Sequence, residues 1–294
     1  MVIFASRKSL AFYSIFFAQS DAKTVLIFQL TTVKIPIYQV DAFSETAFSG
    51  NPAAVCPLDS WLDDTILQNI AAENNLSETA FLVRKNNSIE IRWFTPVTEV
   101  ELCGHATLAS AQVLFHHLDF PAETIIFHSR HSGQLTVTKR DSMLELNFPA
   151  DHLEPALPPE GLIAAIGKKP LEIWKGKKDY LLFYGSQEDI EALKPDFSAL
   201  KKVHARGIMA TAAGYECDFV SRFFAPAVGV NEDPVTGSAH TSLTPFWAHR
   251  LNQLSFEAVQ LSKRGGFLKC QLSGDRVLIS GQAKTYLIGD IFID

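Results

Sequence analysis

Short stretches of alternating apolar and polar residues run along most of the chain, a pattern that predicts strands with one buried face. In the N-terminal part, two segments have helical spacing instead. One covers 61–70, with Ser60 as the expected N-cap, and the other runs from Gly104 to about His117. The strands expected here lie at 35–40, 79–83, 89–94, 125–127, 133–139 and 143–148.

The C-terminal part repeats this order beyond a proline-rich stretch, 149–159, which is the best candidate for a linker. Its expected strands lie at 171–174, 180–183, 207–212, 218–224, 259–261, 267–272, 276–281 and 284–292. Its expected helices lie at 159–166, 187–193 and 238–251. Many strands with one long helix in each part predict an α+β domain that occurs twice.

A repeated phrase supports this duplication. Arg92-Trp-Phe-Thr-Pro96 recurs as Arg222-Phe-Phe-Ala-Pro226, at an offset of 130 residues (222 − 92). Each copy is followed by a glycine that opens a run of small residues, Gly104 in the first and Gly237 in the second. This period is too long for a solenoid repeat. We therefore expect two similar halves whose equivalent loops meet in one cleft.

Composition narrows the class of protein. A chain of 294 residues with 47% hydrophobic and 20% charged residues is typical of a soluble globular protein with two domains. The net charge of −6, without a basic stripe, argues against nucleic acid or an anionic membrane as a partner. The four cysteines form no C-x-x-C pair, so neither a metal site nor a disulfide framework is expected.

The first 34 residues differ from the rest. Arg7 and Lys8 precede an apolar stretch, 10–18, and Ala18-Gln-Ser20 has the outline of a signal cleavage site. The alternative is a dispensable extension ahead of a fold that begins near Ile35. We predict an extension at 1–34 and domains at 35–150 and 151–294, with the last strand free to pack with the first. The expected location is cytoplasmic, or exported if residues 1–20 act as a signal.

The paired glycines carry a chemical prediction. A glycine at a strand-to-helix turn lets a ligand approach the unpaired N–H groups of the first helical turn, where the helix dipole favours an anion. Two such helix starts facing one cleft predict a small carboxylate substrate. The alternative is that Gly104 and Gly237 only permit close packing.

Titratable groups accompany these helix starts. His105 follows Gly104, Ser238 follows Gly237, and Asp233 lies shortly before it. Glu78 lies in an otherwise apolar strand, a position that suits a carboxylate for general acid/base catalysis. The alternative for Glu78 is a glutamate at the strand edge that points to water.

Five motifs, in this order along the chain, give it a family resemblance. They are Gly50-Asn-Pro-Ala-Ala-Val55, Asn75-Leu-Ser-Glu-Thr-Ala-Phe81, Arg92-Trp-Phe-Thr-Pro96, Gly104-His-Ala-Thr-Leu-Ala109 and Glu232-Asp-Pro-Val-Thr-Gly-Ser-Ala-His240. From about Ile35 to its end the chain resembles the PhzF family of phenazine-biosynthesis-like isomerases. The resemblance implies the diaminopimelate-epimerase fold: duplicated domains, each a mixed, barrel-like sheet around a central helix, with the active site between them.

The resemblance also implies roles for individual residues. Glu78 matches the catalytic acid/base, and His105, Asp233 and Ser238 match the residues expected to act with it. The residues expected to bind substrate are Asn51, Gly104, Gly237 and Ser238. Neither a cofactor nor a metal is implied, and a homodimer is. The wider epimerase group uses one cysteine from each half. Cys103 stands at the first position, but the second half has no cysteine to match it, so a two-thiol racemase is disfavoured.

Three functions remain open from the sequence. The leading one is a cofactor-independent isomerase that moves a proton on a small carboxylate. The second is an amino-acid racemase or epimerase that uses Glu78 with His105 or Cys103. The third is a ligand-binding protein without catalysis, against which the presence of all four candidate catalytic residues argues.

Overall fold

Strands outnumber helices among the residues that the structure, a computed structural model, describes: 13–16, 27–30, 32–85 and 88–293. The strands before the first long helix are β1 (Tyr13–Phe16), β2 (Ile27–Leu30), β3 (Val33–Ala42), β4 (Asn51–Leu58), β5 (Glu78–Lys85), β6 (Ser88–Phe94) and β7 (Glu99–Val100). The next are β8 (Thr124–Ser129), β9 (Gly133–Arg140), β10 (Met143–Pro149), β11 (Glu154–Pro155), β12 (Glu172–Lys175), β13 (Tyr180–Phe183) and β14 (Ile208–Ala213). The last are β15 (Phe219–Ala225), β16 (Val230–Asp233), β17 (Ser255–Gln260), β18 (Gly266–Ser273), β19 (Arg276–Gly281) and β20 (Ala283–Ile293). The helices are α1 (Asp64–Asn74), α2 (Gly104–His117), α3 (Leu162–Ile166), α4 (Gln187–Glu191), α5 (Phe197–Leu200) and α6 (Gly237–Leu251).

The predicted N-terminal extension is only partly described. β1 and β2 pair with each other and form a two-stranded sheet of their own. β3 begins at Val33, two residues before the predicted start of the fold. The signal-like segment, apart from the residues of β1, lies outside the described residues.

The duplication is visible in the order of the strands. The first half pairs in the order β20-β3-β4-β5-β6-β8-β9-β10. The second half pairs in the order β11-β12-β13-β14-β15-β17-β18-β19. Both orders contain the same two parallel pairs, β4–β5 with β6–β8 and β13–β14 with β15–β17. The halves are joined where β10 pairs with β19 and where β20 returns to β3.

One long helix fills each half. α2 packs against β3, β4, β5, β10 and β20, and α6 packs against β18 and β19. Nearly all of α2 is buried, so its few polar side chains need partners inside the helix. Thr107 and Ser110 satisfy this by donating to the carbonyls of Cys103 and Ala106, four residues back. The small residues after each glycine therefore allow the helix to pack closely against the strands that surround it.

The proline-rich stretch is held to the second half and is not a loose linker. β11 lies within it and pairs with β12. In addition, Pro245 inside α6 has no N–H to donate to the carbonyl of Thr241, which instead accepts the Asp151 N–H at 3.0 Å. The Asp151 carboxylate also accepts the Ser242 hydroxyl at 2.8 Å. These contacts dock the connection onto the start of α6, beside the cleft.

The start of α1 differs from the prediction. The N-cap is Asp63, whose carboxylate accepts the Thr65 N–H at 2.9 Å, so Ser60 does not cap the helix. Trp61 precedes the helix and donates its indole N–H to Glu90 at 2.7 Å. Its apolar character reflects packing and not helical periodicity. The short elements β7, β11, β16 and α5 were not predicted, because segments of two to four residues show no measurable period. β4 is also absent from the expected strands, because its first residues, Asn51-Pro52, are typical of a turn.

The arginines of the repeated phrase have a structural role. Arg92 forms two parallel hydrogen bonds with Glu99, both at 2.7 Å, and Arg222 does the same with Glu232 at 2.7 and 2.9 Å. Bidentate pairs of this kind fix orientation as well as adding energy. Each pair fastens the strand that precedes a helix start, and neither arginine lines the cleft. The duplicated phrase therefore preserves the scaffold that aims the two helices.

Candidate active site

A cavity of about 580 Å³ lies between the halves and brings the candidate residues together. Its walls include Glu78, Gly104, His105, Asp233, Gly237 and Ser238. Asn51 is fully buried and does not line it, so the expected contact between Asn51 and substrate is absent from this cavity. The duplication thus places equivalent loops from both halves on one space, although the roles of these residues stay predictions.

The two long helices begin side by side at this cavity. A Cβ added to Gly104 would lie 3.6 Å from Gly237 Cα, so only small residues keep the helix starts this close. Neither N-cap residue, Cys103 or Thr236, caps its helix with a side-chain hydrogen bond. Two positive helix ends with uncapped first turns favour an anion between them.

Glu78 and His105 form a close pair of titratable groups in the cavity. Glu78 is the first residue of β5, and its Oε2 lies 3.1 Å from His105 Nε2. This oxygen is buried and makes no aligned hydrogen bond within the described residues. A carboxylate held beside an imidazole, with an acceptor position unused, is suited to taking a proton from a ligand.

His105 lies between Glu78 and Cys103. Burial lowers its pKa, but the charge of the neighbouring Glu78 carboxylate opposes burial, and the pKa is held well above the usual range. Cys103 Sγ lies 3.5 Å from His105 Nδ1, and burial raises the pKa of this thiol to about 11. Cys103 is therefore a neutral thiol near neutral pH, which makes it a poor base for a racemase.

Glu78, Cys103 and His105 are also close enough to suggest a metal site, since their ligand atoms lie within 4.8 Å of one another. The imidazole, however, presents Nε2 to Glu78 and Nδ1 to Cys103. Cys103 Sγ lies 3.5 Å from Nδ1 and 4.0 Å from Nε2, so the thiol is nearer to the ring nitrogen that does not face Glu78. This geometry suits a chain of proton donors and acceptors better than one tridentate metal site.

Asp233 comes from the second half and lies half-buried beside the first-half pair. Burial is the main reason that its pKa is raised to about 6, and the charge of Glu78 adds to the effect, while His105 opposes it. Its carboxylate accepts a hydrogen bond from Asn51 Nδ2 at 2.8 Å and one from Thr236 Oγ1 at 2.5 Å. Asp233 therefore titrates near the pH at which an acid/base group is useful.

Gln260 supports this loop and was not found from the sequence. Its Nε2 donates to the Asp233 carbonyl at 2.7 Å, and its Oε1 accepts the Thr236 N–H at 2.9 Å. Gln260 is fully buried at the end of β17. The only signal in the sequence is an amide side chain at the end of a strand. A glutamine at a strand end that faces solvent gives the same signal, so the sequence does not distinguish the two.

Ser238 lines the cavity from the first turn of α6, opposite His105. The second half also contributes cations that the sequence did not single out: Lys177, Lys178 and Arg206. Arg206 is paired with Asp179, and Lys178 with Glu101 of the first half at 3.2 Å. The cavity thus has an acid/base side from the first half and a more cationic side from the second.

The duplicated halves, each a sheet around a central helix, and the cavity between the two helix starts define a diaminopimelate-epimerase-like fold. A hydroxyproline epimerase from Agrobacterium vitis shares this fold with a TM-score of 0.57 at 10% sequence identity, over 89% of this chain and 93% of its own. Within that fold, the family model described as phenazine biosynthesis-like protein matches residues 40–289. The chain belongs to this PhzC-PhzF family.

Several relatives are similar over their whole length. An uncharacterized isomerase of Pseudomonas aeruginosa is 51% identical over 261 residues, which is 89% of this chain and 100% of the relative. A human phenazine biosynthesis-like domain-containing protein is 40% identical, over 88% of this chain and 99% of its own. The crystal structure of a PhzF-family protein from Enterococcus faecalis superposes with a TM-score of 0.86 at 46% identity, over 89% of this chain and all of that chain.

Among the described residues, none of the helices combines the length and the apolar character needed to cross a bilayer.

Proposed function

We propose that this protein is an isomerase that transfers a proton on a small carboxylate without a cofactor. The observation that carries the proposal is the pairing of Glu78 with His105, next to half-buried Asp233, in a cavity where two helix starts meet. Relatives at about half identity are named as isomerases, which supports the reaction class.

The geometry suggests a division of labour. The N–H groups at the starts of α2 and α6 hold the carboxylate, and Ser238 adds a hydroxyl donor. Glu78 then removes a proton from a carbon near that carboxylate and delivers it to another position. His105 and Asp233 adjust the charge around Glu78. A carboxylate fixed beside a base is pre-oriented for proton transfer, which removes much of the entropic barrier.

The racemase alternative finds less support. It needs two bases on opposite faces of one carbon, and at the position of Cys103 the second half has Thr236. Cys103 itself is a neutral thiol when buried here. The version that uses Glu78 with His105 is the one that the experiment below must distinguish, because both residues face the same cavity.

The test is solvent deuterium exchange into a panel of cyclic and α-amino carboxylates, followed by NMR and mass spectrometry. The isomerase proposal predicts deuterium at a new carbon together with a shifted double bond. Exchange with loss of optical rotation would indicate a racemase, and binding without any exchange would indicate a ligand-binding protein. Exhaustive chelation is expected to leave the exchange rate unchanged. The homodimer and the cytoplasmic location stay predictions.

A further inference from the structure

A buried amide connects the catalytic candidates of the two halves. Asn51, at the start of β4, is fully buried. Its Nδ2 lies 2.8 Å from Asp233 Oδ1, 2.9 Å from the Val235 carbonyl oxygen and 3.1 Å from His105 Nδ1. Two of these three atoms belong to the second half, while Asn51 and His105 belong to the first.

Chemistry decides which end of the amide faces this group. The Val235 carbonyl is an acceptor only, and the Asp233 carboxylate is an acceptor when it is ionised. Since an amide oxygen would repel both, the nitrogen must point toward them. A proton on His105 Nδ1 would then face a nitrogen that has hydrogens and no lone pair to offer.

Cys103 approaches the same ring nitrogen at 3.5 Å. Because the thiol stays protonated at neutral pH, it too can donate to Nδ1 and has little capacity to accept. Neither neighbour of Nδ1 can therefore accept a proton from it: the two amide hydrogens go to Asp233 and Val235 and leave a nitrogen without an accepting lone pair, and the thiol is a donor. The remaining ring nitrogen, Nε2, lies 3.1 Å from the Glu78 carboxylate, which is an acceptor.

We propose that Asn51 is a positioning residue: once His105 has lost its second proton, Asn51 holds the ring in its Nε2–H tautomer and links that state to Asp233 of the other half. Asn51 acts through His105 and does not touch the substrate. The proposal rests on the proposed function only in that His105 belongs to a catalytic site.

The tautomer determines which atom exchanges protons with the cavity. With Nδ1 occupied as an acceptor, the mobile proton is on Nε2, beside Glu78. The charged or titratable groups that face His105 are Glu78 from β5, Cys103 ahead of α2 and, through Asn51, Asp233 from β16. Glu78 favours a proton on Nε2, while Asn51 opposes one on Nδ1. Both effects select the same tautomer.

The test is ¹⁵N NMR of the histidine rings in the free full-length protein, recorded above the pKa of His105. The chain has nine histidines, so the His105 signals are identified by their loss in His105→Gln. The wild type is expected to show a protonated Nε2 and a bare Nδ1. Asn51→Asp replaces the donor with an acceptor, and we expect it to move the proton to Nδ1 and to raise the pKa of His105.

Two further variants keep the test decisive. Asn51→Ala removes the amide without adding charge and is expected to give a mixture of tautomers, even if Asn51→Asp fails to fold. Cys103→Ala leaves the amide in place and is expected to keep the Nε2–H tautomer. The inference is overturned if the wild type carries its proton on Nδ1, or if Asn51→Ala keeps the wild-type ring state.

Catalysis provides a second readout. In the serine-protease triad, a wrong histidine tautomer lowers kcat by roughly 10⁴-fold. We expect Asn51→Ala to lower the exchange rate at saturating carboxylate by at least ~10-fold, with KM nearly unchanged, because Asn51 lies behind the cavity wall. A change in KM alone would contradict the positioning role. Since the NMR experiment uses no substrate, its outcome is independent of whether the isomerase proposal holds.

Discussion

The two halves share one scaffold and differ at each candidate catalytic position. On β5, Thr79 faces Phe94, and on β14, Ile208 faces Phe224, so Glu78 corresponds to Gly207. Counting from the paired helix starts, His105 corresponds to Ser238.

The second half also has a candidate residue that the first half lacks. Trp93 faces Val100 in the first half, whereas Phe223 faces Asp233 in the second, so the acid of the second half replaces a valine. Each titratable group thus occurs in only one half, while the Arg–Glu pairs and the glycines occur in both. The duplication preserved what positions the helices, and the chemistry diverged where side chains reach the cavity.

Removal of the Glu78 carboxylate should produce the largest effect. Glu78→Gln keeps the shape of the side chain but removes the proton acceptor, and we expect deuterium exchange to fall by roughly 10²–10⁴-fold with folding intact. The matched control is Glu73→Gln, an exposed glutamate at the end of α1. If the activity of Glu78→Gln is within twofold of wild type, Glu78 is not the catalytic base.

Asp233, the acid of the second half, should make the stability of the protein depend on pH. Since the folded-state pKa of Asp233 is raised from 3.8 to about 6, the folded protein binds more protons than the unfolded chain between these values. This contribution to stability is fully present below pH 3.8 and is lost as the pH rises through 6. The loss is at most about 3 kcal/mol, at 1.36 kcal/mol per unit.

Urea unfolding of wild type and Asp233→Asn at pH 4 and pH 7 measures this difference. Only the wild type should lose the corresponding free energy relative to the variant. Parallel pH profiles for the two proteins would show that Asp233 is not destabilised by burial.

A substitution at Gly207, the counterpart of Glu78, should affect the stability of the protein and not its proton-transfer chemistry. A Cβ at this buried position would overlap the Phe223 ring and approach Asp179. We expect Gly207→Ala to lower the free energy of unfolding by about 1–3 kcal/mol, as overpacking usually does. Thermal unfolding is the measurement, and an unchanged melting temperature would mean that the second half has room for a side chain there.

The smallest effect on stability is expected at the helix start. A Cβ on Gly104 would make ordinary 3.6 Å contacts with Gly237 and Phe148, so Gly104→Ala should fold normally. Alanine in a helix could even add about 0.5–1 kcal/mol. Carboxylate affinity, measured by calorimetry, should nevertheless fall because the methyl group narrows the gap between the two helix ends. Full affinity in this variant would place the anion elsewhere.

The sequence by itself determined the duplication, most of the long elements except β4, and the identity of the candidate residues. Helix α2 begins and ends where the sequence predicts, at Gly104 and His117, because Gly104 opens a run that contains no further glycine or proline up to His117. The capping choice at Asp63 and the short strands were decided by contacts with distant residues, which no local pattern records.

Only the tertiary structure decided how these residues work together. His105 lies 54 residues and Asp233 lies 182 residues after Asn51 along the chain. The amide nitrogen of Asn51 is nevertheless within 3.1 Å of both side chains. The way in which the halves close on each other decides whether Asn51 lines the cavity or lies behind its wall. It also decides that Gln260 holds the loop of Asp233. Hydrogen bonds and burial between distant segments carry this information, since a pKa or a tautomer depends on all the groups that surround a side chain in space.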